Sequence, residues 1–524
     1  MKKTAIIALF ALGLALFSCS NSSNAPNFPP KQSETSPAQT ETAPEQTEPP
    51  PQTETPPAPT QPETSPAQTD PATQTAEETP LQGPFPLTLE AVSGAATVTF
   101  KNEAAGPVTY KINGGAAQTI ASKTEKAIEL SKAGDRVYFY GENSTYASYD
   151  LKNSAYVFNS CIACSADCYV YGNVMSLVAG ENFDGAKKLS GDSAFCGLFK
   201  ENKNIKNKDG EELLLPATEL TAACYLAMFL RCEGLAVAPA LPAQTLADSC
   251  YKEMFKECKG LKTVSELSAV TLADYSCESM FRGCESLEEA PAILAETLSY
   301  YSCYFMFADC KALKKAPEKL PAKALAQQCY AGMFDGCESL EKTPEILAET
   351  MGPASCLYMF ENCKSLAQVP DLKAKTLNDD CCRRMFNGCS ALAKAPCLPA
   401  EQMKKRCYEE MFMNCENLTK APELPAEKLA EQCYRGMFRG CKKLPVAPNL
   451  SAPTLAKECY SQMFMGCEAL QLVTCFATDM SAQNCLQYWL NGVKSSGLFQ
   501  KKRGASWQSG ASGIPAGWQT VDIP

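Results

Sequence analysis

The chain contains no histidine in 524 residues. That removes Ser-His-Asp and Cys-His hydrolases, histidine-ligated zinc, and any mechanism needing an unperturbed group that titrates near neutrality. Basic excess is missing too. Lys plus Arg is 48 against 58 Asp plus Glu, a net charge of −10, so a nucleic-acid-binding face is not expected. Beyond one amino-terminal run, no apolar stretch is long enough to cross a bilayer. Carboxylates are spread evenly, and none is singled out as glycoside cleavage would require. Neither an enzyme nor a cofactor is expected.

What the chain does have begins with a targeting segment. Lys2 and Lys3 precede an apolar run from Ala5 to Phe17, which ends in Leu16-Phe17-Ser18-Cys19. This ending resembles a bacterial lipobox. The resemblance implies a signal peptide over 1–18 and lipidation of Cys19, with the membrane reached through the acyl anchor alone. An ordinary secretory signal is the alternative. Residues 19–83 are almost wholly Pro, Thr, Glu, Gln, Ala and Ser, and 15 of the 36 prolines lie in 25–83. Such a composition has little to bury, so a disordered stalk is expected. Fully extended, residues 25–83 would reach roughly 180 Å.

Residues 84–160 change character. LTLEAV, ATVTFKN, VTYKI, TEKAIEL and RVYFYGEN alternate with period two between Gly- and Asn-rich turns. A small β-sandwich-like module is expected, acting as a spacer. Cys161, Cys164 and Cys168 follow at its end. They could form a redox pair, half a thiolate zinc site or a disulfide, and an exported chain favours the disulfide. Residues 161–223 read as an amino-terminal cap with a degenerate repeat.

From Cys224 a motif recurs, as in CYKEMFKECKGL and CYAGMFDGCESL. Its Met falls at 228, 254, 280, 306, 333, 359, 385, 411, 437 and 463, a step of 26 with one step of 27. Ten copies over 224–475 mean a solenoid, in which each unit buries its apolar face against its neighbours. Leu198-Phe199 is a possible earlier copy with its register off. Trp489-Leu490 is a later one, within a carboxy-terminal degenerate repeat and cap at 476–524.

Counting from each Met as position 0, Leu near +18, Cys near +22 and the next Met-Phe fall on one helical face. Thr245, Thr271, Thr297, Thr376 and Thr454 could N-cap that helix. Position +3 is Gly283, Gly336, Gly388, Gly440 and Gly466, or Asn362 and Asn414. These tolerate the left-handed conformation that ends a helix. A Pro-containing extended segment follows. The expected fold is thus an α+β repeat solenoid of leucine-rich-repeat type, with strand–helix units of 26 residues, after the all-β module.

The repeat CYxxMFxGCxSLxxAPxLPAxxL resembles the BspA-like leucine-rich repeats of bacterial surface lipoproteins. The stretches ADCYVYGNVMSLVAGENF and KKRGASWQSGASGIPAGW also resemble segments that accompany them. The resemblance implies attachment to the outer membrane, surface exposure and, in some members, adhesion to host proteins or other bacteria. An envelope scaffold with no soluble ligand is the alternative.

Two cysteine columns recur, represented by Cys224 and Cys232, Cys250 and Cys258, Cys329 and Cys337, Cys407 and Cys415, Cys433 and Cys441, and Cys459 and Cys467. They are read as structural: buried thiols, or disulfides between stacked repeats, with no metal. Copies with Cys277, Cys303 and Cys356 shift the first cysteine by one. On the extended segment, Lys315, Lys342, Lys394 and Lys420 would stack beside Glu266, Glu318, Glu345, Asp371 and Glu423. Such adjoining basic and acidic columns are the candidate face for a protein or other macromolecular partner. A merely solvated face is the other reading.

Overall fold

Period-two alternation does produce strands where it occurs. The computed structural model describes residues 84–524; the signal segment, Cys19 and the stalk lie outside the described residues. One antiparallel sheet holds β1 (Leu87–Ala91), β3 (Val108–Ile112), β4 (Gln118–Ile120), β6 (Arg136–Gly141) and β10 (Cys168–Asn173), in the order β10-β1-β6-β3-β4. A second holds β2 (Ala96–Asn102), β5 (Thr124–Leu130) and β9 (Cys161–Cys164), with β2 central. Buried alternate residues of the two sheets meet, and the rings of Phe100 and Phe139 lie 5.2 Å apart. A hairpin, β7 (Ala147–Asp150) with β8 (Ala155–Asn159), stands off both.

The module is joined to the repeats rather than spaced from them. Strand β10 pairs in parallel with β11 (Ile205–Lys206) and β12 (Leu213–Leu214), which belong to the first repeat. A single hydrophobic core runs from Leu87 to Trp518. Buried Glu90 ties the seam, accepting from Arg136 at 2.8 Å, Tyr171 at 2.7 Å and Lys208 at 2.7 Å.

The repeats are not strand–helix units. Helical structure among the described residues is one short segment, α1 (Ser176–Ala179) running into a 3-10 turn at Gly180–Asn182. The motif CYxxMFxGC instead forms a chain of tight turns. Every fourth residue is left-handed: Ser249, Glu253 and Glu257 have φ of 54°, 54° and 58°. The same places in the next copy are Tyr275, Ser279 and Gly283. Three left-handed residues in nine exclude a helix.

Backbone N–H groups then alternate in destination. Those of Leu226, Met228 and Leu230 donate three residues back, to Ala223, Tyr225 and Ala227. Those between them, Tyr225, Ala227 and Phe229, donate to Cys250, Lys252 and Met254 of the next repeat. The pattern continues to the rung centred on Met463. Short bridges seal two further sides. Thr271↔Thr297 lies within the pair β13 (Thr271–Leu272) and β14 (Thr297–Leu298), so these threonines are strand residues and not helix caps. Lys319↔Glu345 lies within β15 (Lys319–Leu320) and β16 (Glu345–Ile346).

The expected helix fails for a definite reason. A turn ladder of period four places Cys, Met and Cys on one side, as a helix of period 3.6 nearly does over nine residues. Gly and Asn at +3 are left-handed as read, with Gly336 at φ 73° and Asn362 at 60°. They serve the ladder and terminate nothing.

Stacking follows from register. Phe199, Phe229, Phe255, Phe281 and Phe307 form a column of nearly parallel rings 5.3–5.5 Å apart, continuing to Phe464. Leu198-Phe199 is therefore a full rung in register. Its four additional residues lie after the ladder, around the Lys208↔Glu211 bridge. At the far end β17 (Leu472–Cys475), β18 (Leu498–Lys502) and β19 (Gln519–Ile523) form a parallel sheet.

Phe334 sits between Phe307 and Phe360 at 5.4 and 5.5 Å and is fully buried. Phe334→Ala is expected to cost about 3–5 kcal/mol, read by denaturant unfolding. Lys342→Ala, on the surface, should stay within about 0.5 kcal/mol.

Candidate interaction surface

The cysteine columns fall inside the core. Cys232, Cys258, Cys337, Cys415, Cys441 and Cys467, all at +4, are buried. Each thiol donates to the carbonyl of the phenylalanine one repeat earlier at 2.9–3.2 Å, Cys258 to Phe229 for example. The same carbonyl accepts the N–H of the +4 cysteine in its own repeat, as Phe229 does from Cys232. A small side chain with a weak donor fits this place. Burial pushes the Cys258 thiol up to about 12, so it stays protonated at neutral pH.

Cys224, Cys250, Cys329, Cys407, Cys433 and Cys459, at −4, are buried as well. Ser276, Ser302 and Ser355 occupy that column in three repeats, while Cys277, Cys303 and Cys356 fill the −3 column. Cys382 also stands at −3, with Cys381 at −4 in the same repeat, and in the other copies −3 is a tyrosine, Tyr408 and Tyr434 lying 6.1 Å apart. The register does not shift; in the copies with Ser276, Ser302 and Ser355 serine replaces cysteine at −4 and cysteine replaces tyrosine at −3. All cysteines from Cys161 to Cys485 carry free thiols in the structure. Among the described residues no cluster of His, Cys, Asp or Glu is placed to hold a metal ion.

The charged face is assembled by bridges. Lys315 pairs with Glu289 on one side and Lys342 on the other, Lys342 with Gln368, and Lys394 with Lys420. The lysine column is thus two like-on-like pairs separated by Gln368. Lys315 reaches Glu289 at 3.4 Å. Among the described residues, Lys342, Lys394 and Lys420 make no ion pair.

The acidic column is less regular. The single additional residue of the 27-residue step lies between Lys315 and Lys319, since Lys315↔Lys342 and Lys319↔Glu345 are both in register. Glu318 therefore slips out of line, and Lys319 lies beside Glu345. Glu345 pairs with Lys373 at 2.6 Å. Asp371 accepts the backbone N–H of Cys397 at 2.8 Å, a bond that holds its carboxyl below the usual range. Glu266 and Glu423 are exposed, with Ala292 and Cys397 interrupting their column.

Several other charged columns pair opposite charges between rungs. On the outward side of the ladder Glu409 forms an ion pair with Arg383 at 2.8 Å and accepts from Arg435 at 3.0 Å, and Lys252 meets Glu278 at 2.8 Å. The run SYYSCYFMF places half-buried Tyr300, Tyr301, Tyr304 and Phe305 on this side, with centroids 4.2–4.7 Å apart and Tyr275 5.2 Å from Tyr301. Sequence reasoning missed this cluster, although the aromatic run was there to see.

Comparison with known proteins adds little. No family model matches the chain, and no curated protein does. Among solved structures, a leucine-rich repeat protein from Bacteroides ovatus is similar at 15% identity, over 58% of this chain and 88% of that one, with a TM-score of 0.23.

One ladder position carries a testable charge. Asp335 is pushed up to about 7 from 3.8, by burial first and then by Glu361 and Asp309 on the adjacent rungs. The native state holds this proton where the unfolded chain has lost it, so stability falls as pH rises from about 4 to about 7. Asp335→Asn should raise the unfolding free energy at pH 8 by on the order of 2 kcal/mol and change little at pH 4, as read by denaturant titration at both values.

Proposed function

We propose that the chain is an exported, lipid-anchored protein of the bacterial outer membrane. Its repeats stand at the cell surface and bind a protein partner in an adhesin-like role without catalysis. The resemblance of the CYxxMFxGC repeat and of Leu16-Phe17-Ser18-Cys19 to those of surface lipoproteins supports the location.

The lysine column carries the binding reading. Lysines bridged directly to lysines, as Lys315↔Lys342 and Lys394↔Lys420 are, repel one another. At other surface places neighbouring repeats set opposite charges together, as with Lys364 and Glu338 or Lys442 and Glu416, at 3.1 and 2.8 Å. Lys342, Lys394 and Lys420, which make no ion pair among the described residues, are what an acidic surface on a partner would complete, and they would steer the encounter.

Lys342→Glu combined with Lys394→Glu is expected to lower adhesion of cells displaying the chain to immobilised host matrix proteins, or their coaggregation with other bacteria, by about tenfold. Stability should stay within about 0.5 kcal/mol. Unchanged adhesion would remove the column from the account. Protease treatment of intact cells should release the repeats by cutting within 25–83, leaving an internal control whole. Protection until lysis would place the protein facing inward and favour an envelope scaffold.

A further inference from the structure

The two ends of the ladder are finished differently. At the first rung, the β module takes up carbonyls that a preceding repeat would otherwise use. Tyr146 N–H donates to Ala194 at 2.9 Å, Ile162 N–H to Leu198 at 2.8 Å, and the Thr145 hydroxyl to Asp192 at 2.9 Å. At the last rung, centred on Trp489, nothing comparable happens. Cys485, Gln487, Trp489 and Asn491 make their three-back bonds. The alternate N–H groups, of Asn484, Leu486, Tyr488, Leu490 and Gly492, meet no acceptor among the described residues. In every earlier rung those five places donate to a carbonyl of the next repeat.

Part of this open edge lines a built cavity. A loop bearing Trp507 and Gln508 stands beside Asn484, Leu486, Gln487 and Tyr488, forming an open cleft of about 450 Å³. Trp507 stacks on Trp489 at 5.6 Å, and its buried indole N–H has no partner. The loop is pinned where Ile514 N–H donates to Gln508 at 2.9 Å and Trp489 Nε1 to Gly513 at 2.8 Å. No charged side chain lines the cavity. The lining offers unpaired donors, amides and aromatic faces.

We propose that this open end of the ladder is a peptide-binding site. A segment of a partner protein adds to the last rung as a further repeat would, its carbonyl oxygens accepting from the N–H groups of Asn484, Leu486 and Tyr488. The molecule supplies the template, because the acceptor at each earlier interface is a peptide carbonyl on alternate residues. Main-chain bonds of this kind give affinity, and the flanking pockets select side chains. The uncharged lining and the exposed Tyr488 ring favour an uncharged, partly apolar segment. The site is separate from the lysine column.

The test pans a random linear peptide library, displayed on phage, against the full chain. Recovered peptides are titrated by tryptophan fluorescence. Leu486→Pro deletes one unpaired N–H and should weaken binding about tenfold, whereas Leu486→Ala keeps the N–H and most of the affinity. If the proline variant fails to fold, Tyr488→Ala with Gln508→Ala gives the reading and should also weaken binding. Lys342→Glu should leave it unchanged. Failure to recover any peptide, or affinities indifferent to these variants, overturns the proposal. So does a glycan array or a self-association measurement in which the same variants abolish binding to a neutral oligosaccharide or to a second copy.

Discussion

Everything in the repeat region depends on how one nine-residue stretch shares out its N–H groups. Alternate donors close turns within the rung and the others reach the next rung. Neither set is left over until the last rung, so the main chain needs neither helix nor long strand. The allocation fixes register, because a slip of one residue would exchange the two sets. Phenylalanine must then stack on phenylalanine, and the +4 thiol must face the same carbonyl each time. The ladder itself keeps its length, and both longer steps place their additional residues away from it, near Lys208↔Glu211 in the first and between Lys315 and Lys319 in the 27-residue step.

The left-handed residues are the cost of that arrangement. Nonglycine residues such as Gln328, Arg384 and Glu410 hold φ of 54–55°, each at roughly 1–2 kcal/mol. Interlocking bonds and stacked rings on both sides offset this. At Gly332 glycine is also a spatial need, since a Cβ would collide with the Phe305 ring. An acidic residue on the rungs shows the same pressure, as burial first and then Glu361 and Asp309 push Asp335 up to about 7.

Much of this was legible and part of it was misread. The repeat, its period and the identity of the buried columns could be taken from spacing alone. The helix could not be refuted that way, because periods of 3.6 and four coincide over nine residues. Glycine and asparagine at +3 announced left-handed backbone, but Ser249, Glu253 and Arg384, equally left-handed, carry no such signature. The lysine column was visible in the sequence; the slip of Glu318 was not, because it depends on where the additional residue is absorbed. The apparent cysteine shift was a substitution between columns, detectable only once tyrosine and cysteine are seen to share a place. The unpaired donors of the last rung belong to no residue type and cannot be read from letters at all.

The bonds that join rungs also decide how the protein would answer a pull. They run from one repeat to the next, along the line of the ring stack, so tension between the two ends loads each interface in series. The weakest interface opens first and the others remain intact. Each repeat set free contributes 26 residues, about 90 Å of extended chain. Stretching should therefore proceed in equal steps, a sawtooth of detachments in which the molecule lengthens under load while most of its rungs stay closed.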